Sequence, residues 1–185
     1  QGYGSSDDRQ TARNARLDPT NQLRWRRRPQ RLRAEAIRDN LLAVSGQLDL
    51  KGITVGSLDE NVRHRSIYLR VKRSRLQPVL QLFDAPDALQ GIGQRQTTTT
   101  APQGLMLLNH PLVNDCAGAL AARLAGENPA DTRALIDRGF LWSLGRHASE
   151  DEVNLCSEIL EPGTPAATRD FCQMLLCLNE FIYVE

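Results

Sequence analysis

The chain has 185 residues, of which 41% are apolar and 24% charged, the balance of a globular domain with enough material for a real core. No run reaches the roughly 18 consecutive apolar residues of a membrane-spanning helix, which excludes such a span, and aromatics are only 5%, so Leu, Ile, Val and Ala must build the interior. The net charge of +1 hides a split: residues 1–95 carry 18 Arg/Lys against 10 Asp/Glu, and residues 96–185 carry 5 against 12.

Residues 1–18 are polar and rich in Ser, Asp, Arg and Gly, and read as an extended or poorly ordered lead-in. The chain opens on Gln1, so it reads as a piece of something longer, with any export signal upstream. Asp18-Pro19-Thr20-Asn21 is a turn signal, because Asp and Asn bond their own backbone and Pro fixes φ. Residues 19–185 read as a single helical domain. Its first helix is expected to begin near Pro19 or Pro29, with Leu32, Ile37, Leu41, Val44 and Leu48 on one face. Arg31, Arg33, Arg38 and Asp39 fall largely on other faces, and Ser45-Gly46 supplies the stop.

Residues 49–63 read as a loop with a brief strand at Ile53–Val55, and the alternating Ser66–Val71 as a short strand. Leu76, Val79, Leu80, Leu82 and Phe83 mark one or two helical turns behind Pro78. After a Gly/Gln/Thr loop, Thr100-Ala101-Pro102-Gln103 has the form of a capping box, with Leu105, Leu108 and Leu112 as the expected inner stripe. Pro111 restarts a helix that runs to about Ala125. Three more helices follow, over Thr132–Leu144, Ser149–Leu160 and Thr164–Leu178, and Ser149 with Glu152 forms a second capping box. The tail from Phe181 to Val184 is too apolar to dangle. The fold class is mainly α: an irregular multi-helix bundle with long loops and at most a short β-hairpin.

Cys116, Cys156, Cys172 and Cys177 lack metal-knuckle or haem-attachment spacing, and read as buried thiols, or, in an oxidising compartment, as disulfides in any of three pairings. His64, His110 and His147 are scattered and read as capping or surface residues, so no metal site is expected. No nucleophile elbow or phosphate loop is present, and no catalytic residue can be named.

Two polar constellations stand out. Arg65, Asp84, Asp87, Arg95, Thr97–Thr100 (with Thr98 at its centre), Gln103 and Asn109 lie in or beside apolar segments. They form either a pocket whose arginines grip carboxylate or sulfate groups of an acidic sugar, or, on the plainer reading, a buried network that tethers loops to helices. The second is the basic run Arg24, Trp25, Arg26, Arg27, Arg28 and Arg31, extended by Arg33. It suits a polyanion with Trp25 as a stacking platform, or, more plainly, ion pairing with Glu35, Asp39 or the acidic half of the chain.

Several blocks resemble a known family. They are Arg31–Asp39 with Leu42–Gly46, Arg65-Ser66-Ile67-Tyr68, Phe83-Asp84-Ala85-Pro86-Asp87, Arg95–Thr99 leading to Ala101-Pro102-Gln103, Leu144-Gly145-Arg146, and Asn179–Val184. Together they resemble the planctomycete-specific C-terminal domain of unknown function numbered 1553. Gly104 departs from the pattern, standing where that family usually has Ala. The resemblance implies a large exported protein, periplasmic or at the cell surface, in which this domain follows a haem-binding cytochrome c-like domain. Haem is expected only upstream, and no cofactor is expected in this chain. The implied partners are other domains of the parent protein and polysaccharide, not nucleic acid. The leading reading is therefore a helical module linked to polysaccharide binding or use. The alternatives are a carbohydrate-active enzyme domain with the Arg/Asp/Thr cluster as its site, and a polyanion- or nucleic-acid-binding module using Arg24–Arg33.

Overall fold

Helix-forming residues flanked by strong stop signals decide where the elements fall. The computed structural model describes residues 8–26, 29–51, 56–59, 61–72, 77–86 and 93–184. The helices among them are α1 (Asp8–Leu17), α2 (Ala34–Val44), α3 (Pro78–Leu82), α4 (Ala101–Asn109), α5 (Pro111–Gly126), α6 (Thr132–Leu144), α7 (Glu150–Leu160), α8 (Pro165–Cys177) and α9 (Asn179–Ile182). Two short strands, β1 (Gln30–Arg31) and β2 (Tyr183–Val184), pair antiparallel. The fold is mainly α.

Helix α8 is the axis of the C-terminal half. It lies along α5 and also touches α4, α6, α7 and α9. Phe171, Cys172, Leu175 and Leu176 are fully buried there, packed near Val113, Cys116 and Leu120 of α5 and Ile136 and Phe140 of α6 in one core. Gly139 permits the α6–α8 contact: a Cβ on it would stand 2.8 Å from the Phe171 ring. The N-terminal half gathers on α2, whose Ile37, Leu41 and Leu42 are buried and which packs on α3 and α5. The capping boxes at Thr100 and Ser149 both form, Gly46 and Gly145 adopt positive φ just past their helices, and the tail docks through Phe181 and Ile182.

Several expectations need correction. Residues 8–17 are helical rather than extended, in line with the good helix formers Ala12, Arg13, Ala15 and Arg16. The helix expected from Pro19 or Pro29 starts only at Ala34, because the Asp18 carboxylate folds residues 18–23 into a turn by accepting the Gln22 and Leu23 N–H groups at 3.0 and 2.7 Å. The small sheet is no hairpin; it joins residue 30 to residue 184. Ile53–Val55, expected as a strand, lies outside the described residues, as does Leu76.

Ser66–Val71 is not a strand. Ser66–Tyr68 forms a 3-10 turn, and Leu69 makes one isolated bridge to Ser57. Arg38, expected on an outer face, is 1% exposed and ties down the residues that lead into this turn. Its guanidinium donates to the carbonyls of Val62 and His64 and to the Ser66 hydroxyl, while Asp39 accepts the Ser66 N–H at 2.7 Å. Side chains of α2 thus satisfy backbone groups at the start of the turn, where no strand pairs with them. In α4 the inner stripe is also rotated: Leu105 and Leu108 are 58% and 52% exposed, and Gln103, Met106 and Leu107 are buried.

Candidate functional site

The Arg/Asp/Thr cluster resolves into one tight clasp and several separate contacts. Arg31 leaves β1 with a side chain 2% exposed and reaches the end of α3, where it donates to an Asp84 carboxylate oxygen at 2.7 Å and the Phe83 carbonyl at 3.2 Å. It also donates to the Thr98 carbonyl. Asp84 accepts the Thr98 N–H at 2.7 Å and the Thr98 hydroxyl at 2.8 Å. Gln103, in the first turn of α4, donates its amide to the Leu82 and Thr98 carbonyls at 3.0 and 3.1 Å. Asp84 sits at φ +61°, a conformation that Asp tolerates better than most residues.

Burial pushes the Asp84 carboxyl up, but the Thr98 N–H, the Arg31 guanidinium and the Thr98 hydroxyl outweigh it and hold the group below the usual carboxylate range. A carboxylate so saturated is a poor proton carrier at neutral pH. The clasp joins β1, α3 and α4.

The remaining candidates lie elsewhere. Asn109 bonds the Leu105 carbonyl of its own helix at 3.0 Å. In the basic run, the Trp25 indole N–H donates to the Asp18 carbonyl at 2.9 Å, and Arg26 lies 5.2 Å above the ring, so neither the N–H nor that ring face is free to stack. Arg24 sits at φ +53° in the same turn. Arg31 belongs to the clasp and not to the run. Asp87, Arg27 and Arg28 lie outside the described residues. His110 caps α5, accepting the Leu112 N–H, and His147 bonds Asp137 at 2.8 Å. The four cysteines are free thiols, and among the described residues no cluster of His, Cys, Asp and Glu is arranged to hold a metal.

Arg65 and Arg95 do meet, at the rim of a cleft of about 630 Å³ between α2, the 3-10 turn and α3. Arg33 and Arg70 complete a set of four guanidiniums around it, with Glu35 and Asp39 as the facing carboxylates. Arg95 bonds Glu35 at 3.0 Å, and Arg65 stands 3.5 Å from Asp39. Burial pushes the Glu35 carboxyl up, yet the Arg95 hydrogen bond and charge leave it below its ordinary value. Arg33 and Arg70 are exposed and make no ion pair among the described residues. The floor is apolar: Leu69 and Leu80 at its base, with Ile67 and Val71 projecting 74% and 66% exposed. Beyond Arg33 and Arg95 opens a second, more polar cavity of about 770 Å³.

Arg70, Ile67 and Val71 were not singled out from sequence, and Glu35 and Asp39 were expected only as pairing partners of the basic run. The signal for Ile67, Arg70 and Val71 lay in the segment 65–71, apolar at Ile67, Leu69 and Val71 and basic at Arg65 and Arg70. A family model described as protein of unknown function (DUF1553) matches residues 1–160. No curated protein and no solved structure matches the chain. Residues 161–185, which contribute α8 and β2, lie outside the matched stretch.

Proposed function

The chain belongs to the DUF1553 family of proteins of unknown function, and from that premise we propose that it is a non-catalytic binding module whose arginine-rimmed cleft takes units of an acidic saccharide. The observation that carries the reading is the cleft's charge: four guanidiniums face two carboxylates, and two of the four are unpaired among the described residues. Arg33 and Arg70 supply forked donors for a sulfate or carboxylate. Ile67 and Val71 offer an apolar surface to the C–H face of a sugar ring. Glu35 and Asp39 accept hydrogen bonds, and hydroxyl groups provide the donors; a phosphodiester backbone presents mainly acceptors. Among the described residues no exposed aromatic ring lines the cleft, so none supplies the stacking platform that single-stranded nucleic acid uses.

The saturated Asp84 supports binding over catalysis. The resemblance of the sequence to an exported, haem-associated family supports placing the module outside the cytoplasm, in a parent protein whose haem sits on an upstream domain and whose other domains are its neighbours.

The test is titration calorimetry of the 185-residue chain against heparin, polygalacturonate, neutral dextran, polyglutamate and single-stranded DNA. Heparin or polygalacturonate is expected to bind and dextran not to. Arg33→Ala and Arg70→Ala should each weaken binding about tenfold, the scale of one charge-assisted hydrogen bond. Equal or tighter binding of polyglutamate or DNA, or an affinity indifferent to both substitutions, overturns the reading.

A further inference from the structure

The cleft does not end at Arg33 and Arg95. Those two residues line the first cavity and the second alike, so the cavities, about 630 and 770 Å³, adjoin at a basic waist and make up a trough of two compartments. The two ends differ in chemistry. The first has an apolar floor and unpaired guanidiniums. The second is lined by the uncharged hydrogen-bonding side chains of Gln30, Gln94, Gln96, Thr97, Thr99 and Tyr183, and by Arg31 and Asp84, which are paired with each other. Gln94, Gln96 and Thr97 are exposed, and their side chains make no hydrogen bond among the described residues. Each cavity by itself, at about 630 and 770 Å³, is of the size that holds one small ligand, usually about 300–1,000 Å³, so the pair has room for adjacent units.

We infer that the trough holds an extended stretch of polymer, with anionic groups on Arg33 and Arg70 and less charged, hydroxyl-rich units running past the waist onto the Gln/Thr wall. This rests on the acidic-saccharide reading and deepens it from a monomer site to a chain-binding site. The amide and hydroxyl groups of the second cavity donate and accept with no charge preference, which suits ring hydroxyls. The waist itself is held in place: Glu35 fixes Arg95, and the neighbouring Arg31–Asp84–Thr98 clasp holds the loop that carries the wall. Two linked contacts on one chain bind more tightly than either alone, since the second forms at high effective concentration.

The experiment compares size-fractionated heparin oligosaccharides, from disaccharide to decasaccharide, on the wild-type chain and two variants. Affinity is expected to rise at least about tenfold from disaccharide to hexasaccharide in the wild type. Gln94→Ala/Gln96→Ala should abolish that rise and leave disaccharide affinity unchanged. Thr97→Trp, which fills the second cavity from an exposed position, should do the same, and circular dichroism confirms that both variants are folded. A flat length dependence, or a rise that survives both variants, overturns this inference while the acidic-saccharide reading stands. Failure of every length to bind removes both.

Discussion

Replacing Arg31 by Met tests the clasp on which the trough's geometry depends. Met retains much of the volume but removes three contacts: the ion pair to Asp84 and the donations to the Phe83 and Thr98 carbonyls. Breaking a buried pair by deleting one partner costs about 3–5 kcal/mol. Asp84 is 20% exposed and keeps both bonds from Thr98, so the lower end applies, about 3 kcal/mol. Urea unfolding should show the midpoint falling at constant slope. Asp84→Asn keeps a side chain suited to φ +61° but removes the charge and turns one of the two acceptor oxygens into a donor. Because the two residues touch, the double variant should lose less than the sum of the singles, by at least about 1 kcal/mol.

The pH dependence supplies a second arm. The folded Asp84 carboxyl lies below its unfolded value of about 3.9, so its contribution is present above that pH and is lost as pH falls through the lower folded value. The gap between wild type and Asp84→Asn should therefore close below about pH 4. A cost for Arg31→Met under about 1 kcal/mol, or strict additivity in the double variant, would show that the clasp holds nothing together.

Other expectations follow from packing. Gly139→Ala should destabilise by about 1–2 kcal/mol in urea unfolding, because its Cβ meets the Phe171 ring, whereas Gly104→Ala has open space and should stabilise by about 0.5–1 kcal/mol from helix propensity. The same assay should show Leu107→Ala costing about 2–4 kcal/mol and Leu105→Ala staying within about 0.5 kcal/mol, which fixes the rotation of α4. Burial pushes the Cys172 thiol up to about 12, and Cys116 is equally enclosed, so a thiol-reactive dye followed by peptide mapping should label half-buried Cys177 first in the native state. Labelling of Cys116 or Cys172 ahead of it contradicts the packing of α5 on α8.

Much of the fold was legible where local chemistry decides it. The capping boxes at Thr100 and Ser149, the glycine after α2, and the buried Phe171 and Leu175 all follow from spacing and cap preference. What escaped sequence reading turns on polar side chains that go inward. Gln103 is buried because two carbonyls wait for its amide, and that rotates α4 so that Met106 and Leu107 follow it inside. Leucine spacing alone favours Leu105 and Leu108. Arg38 likewise turns inward to the Val62 and His64 carbonyls, just ahead of the alternating segment. The Arg31–Asp84–Thr98 tie spans 53 and 67 positions of sequence, beyond any local rule, although the residue types were marked out for pairing.

The charge split carries the last step. Packing the basic half on the acidic half would neutralise both, but the ion pairs among the described residues do not run that way. Arg133–Glu150, Arg138–Glu127 and Arg146 with Glu152 and Glu180 all lie within the acidic half. Arg31–Asp84, Arg65–Asp39 and Arg95–Glu35 lie within the basic half. Arg63–Asp115, at 3.6 Å and partly exposed, is the one pair among them that crosses. Each half therefore settles its own pairs and keeps its surplus, positive around α2 and negative around α7. A surplus that folding leaves in place acts over roughly 8 Å at physiological ionic strength, and under the proposed reading that reach would draw an anionic chain towards Arg33 and Arg70 before any contact forms. Under the same reading the acidic surplus of the C-terminal half would repel that chain, so the asymmetry would orient its approach as well as attract it.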